Sequence, residues 1–152
     1  MVEFEKSNKK IIILSMHRSG SSLLSSILKK AINEEQTADG NAYNKNGYNE
    51  NQELLQLNES IYKSQNKRWY ESLEKIEERD KILEKIYKIL SSTKEKIIKE
   101  PRLINILSAL NVNSNELNKM QVEFIMLTRN KIQVADSIKR RDGLSDHEIK
   151  KY

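Results

Sequence analysis

Apolar residues fall along this chain in two periods, and the changes between them mark its elements. Residues 11–14, Ile-Ile-Ile-Leu, form a β-branched run that predicts a buried parallel strand. From Leu23 the period changes. Leu23, Leu24, Ile27, Leu28, Ala31 and Ile32 recur at three and four, which predicts an amphipathic helix of about three turns. Residues 33–51 are polar and Asn-rich, with Gly40 and Gly47, and read as a long loop of the kind that is usually functional or disordered. A helix is expected around 52–64, with Leu54, Leu55, Ile61 and Tyr62 on its apolar side. Leu73, Ile76, Leu83, Ile86, Tyr87 and Leu90 then predict a helix over 72–91, too short for a coiled-coil seam and read as laid on the sheet or protruding from it.

Ile97 and Ile98 predict a second strand, ending at Lys99-Glu100-Pro101-Arg102. Leu103, Ile106, Leu107 and Leu110 give a further helical pattern, and the Asn-rich residues 111–120 read as a linker. A third strand is expected at 122–127. The helix after it, from about Ile132, carries Val134, Ala135 and Ile138, and Asp142-Gly143 closes it as a C-cap would. Ser145 with Glu148 three residues on resembles a capping box that starts another helix. No internal repeat is visible. Strands alternating with helices predict an α/β domain, a short parallel sheet flanked by helices, with a helical insertion at about 52–91.

Composition narrows the chemistry. The 152 residues amount to one domain, and about a quarter are Leu, Ile, Val or Phe, above the roughly 20% below which chains tend to stay disordered. The longest apolar runs are four residues, against about 20 for a membrane span and about 7–15 for a signal segment. A cytoplasmic, soluble protein without a membrane span is therefore expected. The absence of Cys excludes disulfides, zinc ribbons and thiol nucleophiles, and two His, at 17 and 147, cannot supply a His-rich metal site. The net charge of +5 admits an anionic partner, but Lys alternates with Glu through residues 71–99 as on a solvated helix face. The Arg residues are fewer and sit at more pointed places.

Two constellations carry candidate chemistry. The first is the strand–loop–helix unit around Ser15–Ser22. A helix N-terminus offers unpaired N–H groups and a partial positive charge. Gly20 would let the backbone approach an anion, Ser21 and Ser22 add hydroxyls, and Arg18 adds a forked cation. The Walker A spacing is not met, since no Gly lies upstream and no Lys follows Gly20, which speaks against an ordinary ATP- or GTP-hydrolysing enzyme. The second is Arg129, just past a strand end, with Ser137 about a turn into the following helix; ligands bind at such carboxyl ends in open α/β sheets.

Taken together these residues suggest a family. His17-Arg18-Ser19-Gly20-Ser21-Ser22, with Leu23-Leu24, resembles the 5′-phosphosulfate loop of the sulfotransferases, and is closest to the M-H-R-S-G-T-S flavour of the bacterial proteins. Arg129 with Ser137 is similar, in order and spacing, to that family's 3′-phosphate pair. Asn46-Gly47-Tyr48-Asn49-Glu50 looks like its G-Y-x-E segment, and Leu57-Asn58 and Trp69 follow it. Lys99-Glu100-Pro101-Arg102 looks like its K-D-P-R, and residues 137–144 look like its S-L-x-R-R-x-G-L. The match runs from about residue 11 to 148.

The resemblance implies a P-loop NTPase-like sulfotransferase fold in a single domain, short at the C-terminal end relative to the family. It implies 3′-phosphoadenosine 5′-phosphosulfate as donor, with no metal, and a small-molecule, lipid or glycan acceptor. Under it, His17, Arg18, Ser19, Gly20, Ser21 and Ser22 hold the 5′ end and Arg129 and Ser137 hold the 3′-phosphate. Arg18 also stabilises charge on the leaving phosphate. Glu50 is the first candidate for the base, Glu100 the second, and Lys99 adds a donor near the transferred group. Three rivals stay open: a catalytically inactive nucleotide-binding remnant, a P-loop nucleotide kinase, and a basic nucleic-acid-binding protein, although nucleic acid is not the expected partner.

Overall fold

The computed structural model describes residues 9–15, 18–35 and 50–150. Three parallel strands form one sheet: β1 (Lys10–Ser15), β2 (Ile97–Lys99) and β3 (Val122–Leu127), in the order β2-β1-β3. Ile11 faces Ile97 across one ladder and Glu123 across the other. Alternation along β1 sends Ile11 and Ile13 to one face and Ile12 and Leu14 to the other, and all four are buried. This is the double burial that an unbroken apolar run requires. The coarse expectation, an α/β domain with a small parallel sheet flanked by helices, holds.

The two faces have separate cores. Ile11, Ile13 and Ile97 pack with Leu24, Leu28 and Ile32 of α1 (Ser21–Ala31). On the other face Ile12, Leu14 and Ile98 join a larger cluster, built with α2 (Gln52–Ser64), α3 (Arg79–Ser92) and α4 (Leu103–Ala109). Leu54, Ile86 and Ile106 are its fully enclosed members on the helices. Asn51 caps α2 by accepting from the Leu54 N–H.

Three sequence expectations are corrected. The helix expected over 72–91 starts only at Arg79; before it, the Gln65 side chain engages the Glu74 backbone in place of helical partners, its Oε1 accepting from Glu74 N–H at 2.9 Å and its Nε2 donating to Glu74 C=O at 3.2 Å. The expected linker at 111–120 contains α5 (Ser114–Lys119), nucleated by a full capping box between Asn113 and Glu116. In α1 the fully buried stripe is Ser21, Ser25 and Lys29, while Leu23 and Ile27 are more than half exposed. Leu24, Leu28 and Ile32 meet the sheet, so the apolar band of α1 extends past the row that is buried.

The last elements follow expectation. α6 (Lys131–Asp142) ends on Gly143 at φ 65, and Ser145 with Glu148 forms the capping box of α7 (Asp146–Ile149). Among the described residues no helix is long and apolar enough to cross a membrane.

Candidate functional site

The carboxyl ends of β1 and β3 open onto the N-terminus of α1. Gly20 is the N-cap at φ 88, and a Cβ there would meet no atom within 4 Å. Arg18 is held at φ 64, a left-handed backbone that a non-glycine side chain rarely adopts. Such strain needs surrounding contacts to hold it, and two are present. Arg18 Nε donates to Ser137 Oγ at 2.9 Å, and Arg129 Nη1 donates to the Arg18 carbonyl at 2.9 Å. Ser19, Ser21 and Ser137 are buried and Arg129 is exposed. The fold thus gathers Arg18, Ser19, Gly20, Ser21, Ser22, Arg129 and Ser137 around one helix N-terminus. His17 and residues 46–49 lie outside the described residues.

A second cluster sits at the end of β2. Glu50 makes a single parallel bridge with Lys99, and Lys99 Nζ donates to Glu50 Oε1 at 2.9 Å with both side chains buried. Arg102 then ties the cluster together, donating to Glu50 Oε2 at 3.2 Å and to Glu100 Oε1 at 2.9 Å. It also reaches Glu59 at 3.5 Å. Burial holds the Lys99 ammonium below its ordinary value, and Glu50 works against that. Burial likewise pushes the Glu100 carboxyl up; Arg102 opposes the rise and Glu50 adds to it. Glu100 is fully enclosed and its Oε2 has no hydrogen-bond partner. The buried Asn58 amide lies near enough to favour the Glu100 anion, yet neither of its polar atoms makes an aligned hydrogen bond.

The two candidate bases therefore differ in access. Glu50 keeps 9% of its surface exposed and Glu100 keeps none. No protein-family model, curated protein or solved structure matches the chain.

Two residues of this second cluster, Arg102 and Asn58, belong to the motifs quoted from the sequence but have no role assigned there. Arg102 closes the Lys99–Arg102 run, and only the fold shows three carboxylates around it. Asn58 carried a readable signal, a polar residue four after Leu54 and three before Ile61 on the buried stripe of α2. A third polar group lies elsewhere: Lys29, wholly buried, pairs with Glu95 at 3.0 Å and with Glu34 at 3.6 Å. Glu34 also accepts from the Lys96 and Ile97 N–H groups, so this cluster supports the start of β2. Among the described residues no three His, Cys, Asp or Glu side chains group as metal ligands would.

Proposed function

We propose that this chain is a sulfotransferase of the P-loop type, moving a sulfuryl group from 3′-phosphoadenosine 5′-phosphosulfate to a hydroxyl or amine. The observation that carries the reading is the meeting of Arg18, Arg129 and Ser137 beside the α1 N-terminus, at 2.9 Å for both hydrogen bonds. These positions correspond, by the resemblance of their motifs, to residues that hold the two phosphate ends of one nucleotide. Backbone N–H groups at the helix start and the Arg18 guanidinium suit the 5′-phosphate, and the Arg129 guanidinium with Ser137 suits the further charge of a 3′-phosphate.

In this reading the acceptor oxygen or nitrogen bonds to sulfur as the bond from sulfur to the 5′-phosphate oxygen breaks. Arg18 stabilises the charge left on that phosphate. Glu50 takes the acceptor proton, since it is the less enclosed of the two carboxylates. Lys99 orients it from 2.9 Å. A second reading, donor binding without turnover, is favoured by one feature: both Glu50 oxygens are engaged, by Lys99 and by Arg102. Turnover against a panel of acceptors separates the two.

Ligand choice tests both. In metal-free buffer, 3′,5′-adenosine bisphosphate should raise the melting temperature more than ATP does. A ligand at a hundredfold excess over Kd stabilises the native state by about 2.7 kcal/mol. Equal shifts for the two nucleotides would remove the assignment of Arg129 and Ser137 to a 3′-phosphate.

A further inference from the structure

The sheet is enclosed along β1 and β2 and open along β3. Residues 11–15 of β1 and all of β2 are buried, whereas β3 buries no residue. Its Glu123 and Met126 are exposed, Met126 to 54%, and the others are half-buried. Edge strands of natural proteins are commonly blunted by Lys, Pro or a bulge. The β3 segment Val-Glu-Phe-Ile-Met-Leu has no Lys and no Pro, and it pairs with β1 without a bulge from Lys10–Val122 to Ser15–Leu127.

The ladder fixes which backbone groups of β3 face outward. Ile11 donates its N–H to the Lys96 carbonyl, so Ile11, Ile13 and Ser15 turn their backbone groups toward β2. Lys10, Ile12 and Leu14 turn theirs toward β3. In a parallel ladder Ile12, opposite Phe124, bonds to the residues on either side of it, Glu123 and Ile125. Val122, Phe124 and Met126 therefore point their N–H and C=O groups away from β1. Among the described residues no hydrogen bond from outside the sheet reaches these groups. They form a template for one more strand.

The strand is complementary to itself. Two copies related by a two-fold axis set their β3 strands antiparallel, and outward groups must then meet outward groups. Registers centred on Phe124, Ile125 or Met126 satisfy this. Only the Met126 register sets Glu123 of each copy opposite Arg129 of the other, with Ile125 opposite Leu127. Both charges have capacity to spare. Glu123 meets only Lys9, at 3.5 Å with both side chains more than half exposed. Arg129 uses Nη1 on the Arg18 carbonyl and Nε on Gln133, which leaves Nη2.

We propose that this chain pairs with a second copy of itself through β3, antiparallel and centred on Met126, to give one continuous sheet in the order β2-β1-β3-β3-β1-β2. The inference rests on strand geometry and charge and does not depend on the transferase reading.

Sedimentation equilibrium should show a concentration-dependent dimer. Met126→Pro should make the chain monomeric with its circular dichroism unchanged, because the Met126 N–H serves no partner within the sheet. Met126→Lys puts like charges opposite each other on the axis and should do the same, which covers a Pro variant that fails to fold. Glu123→Arg should raise the dimer dissociation constant about 2–30-fold, as two lost pairs of about 0.2–1 kcal/mol each imply, and adding Arg129→Glu should restore it. The chain has no Cys, so one introduced thiol reads the register. Met126→Cys should oxidise to a disulfide dimer, since hydrogen-bonded antiparallel partners have Cα atoms about 5.5 Å apart, within disulfide range. Phe124→Cys, opposite Thr128, should stay reduced. A monomer at every concentration, a dimer that survives both Met126 variants, or a disulfide through Phe124→Cys in place of Met126→Cys would each overturn the proposal.

Discussion

Arg18 donates its Nε–H to Ser137 Oγ at 2.9 Å across 119 residues of chain. Arg129 completes the link by donating to the Arg18 carbonyl from 111 residues away. The loop after β1, the end of β3 and the first turns of α6 are thereby one unit. An anion bound there would meet a set of groups already holding one another, so the two ends of the proposed nucleotide site are expected to be energetically coupled.

That expectation is measurable. Arg129→Ala should cost binding of 3′,5′-adenosine bisphosphate about 1.5–3 kcal/mol, the range for a charge-assisted contact. Arg18→Ala should weaken it as well, because Ser137 loses the group that orients it. In a double-mutant cycle by titration calorimetry the two losses should fail to add, with a coupling of about 0.5–3 kcal/mol. Additivity within about 0.3 kcal/mol would show that the contacts seen here carry no binding energy.

Gly20 and Gly143 make a matched pair. Both have positive φ, +88 and +65, and a Cβ at either would meet no atom within 4 Å. Replacing either by Ala should therefore cost only backbone strain, about 1–2 kcal/mol in urea unfolding. The functional outcomes should diverge. Gly20→Ala puts a methyl at the mouth of α1 and should weaken nucleotide binding, whereas Gly143→Ala, at the end of α6, should leave it intact. A similar loss of binding in both would mean that the Gly20 effect is general destabilisation.

Lys99 tests the cluster at the end of β2. Its side chain is 3% exposed and its partner Glu50 10%. Removing one partner of a buried pair costs about 3–5 kcal/mol, because the other charge stays enclosed. Lys99→Met should fall at the low end of that range, since Arg102 still reaches Glu50. Adding Glu50→Gln should recover much of the loss. Chemical denaturation of the two variants reads this, and a double variant less stable than the single would contradict it.

The pH dependence has two limbs of opposite sign. The Ser145 backbone N–H, and then its hydroxyl, hold the Glu148 carboxyl down to about 2, from an ordinary value of 4.5. A depressed folded value means stability that is fully present above about pH 4.5 and is lost as pH falls toward about 2. Carboxyl NMR should show Glu148 titrating near the bottom of that window, and Glu148→Gln should flatten the acid limb. Glu100 behaves the other way. Burial raises its folded value, so the native state holds the proton longer than the unfolded chain, and stability declines as pH rises above about 4.5. Glu100→Gln should remove that decline in stability measured from pH 4.5 upward; an unchanged slope would mean that Glu100 titrates as an ordinary carboxyl.

The sequence by itself determined what depends on near neighbours. The Ile-rich run of β1, the apolar spacing of α2 and α6, the left-handed Gly143 and the Ser145–Glu148 capping box each follow from residues within a turn or two. Even α5 was locally encoded, in Asn113 and Glu116, and was hidden only by its Asn-rich composition. Tertiary structure decided what depends on strand order and on which helix row meets the sheet. It buried Lys29 in place of Ile27 and made Arg102 the hub of Glu50, Glu100 and Glu59. It also brought Arg18 to Ser137. Hydrophobic period reports which side of an element is apolar. Which polar groups meet across the sheet is fixed by the β2-β1-β3 order, because that order sets which strand ends lie side by side.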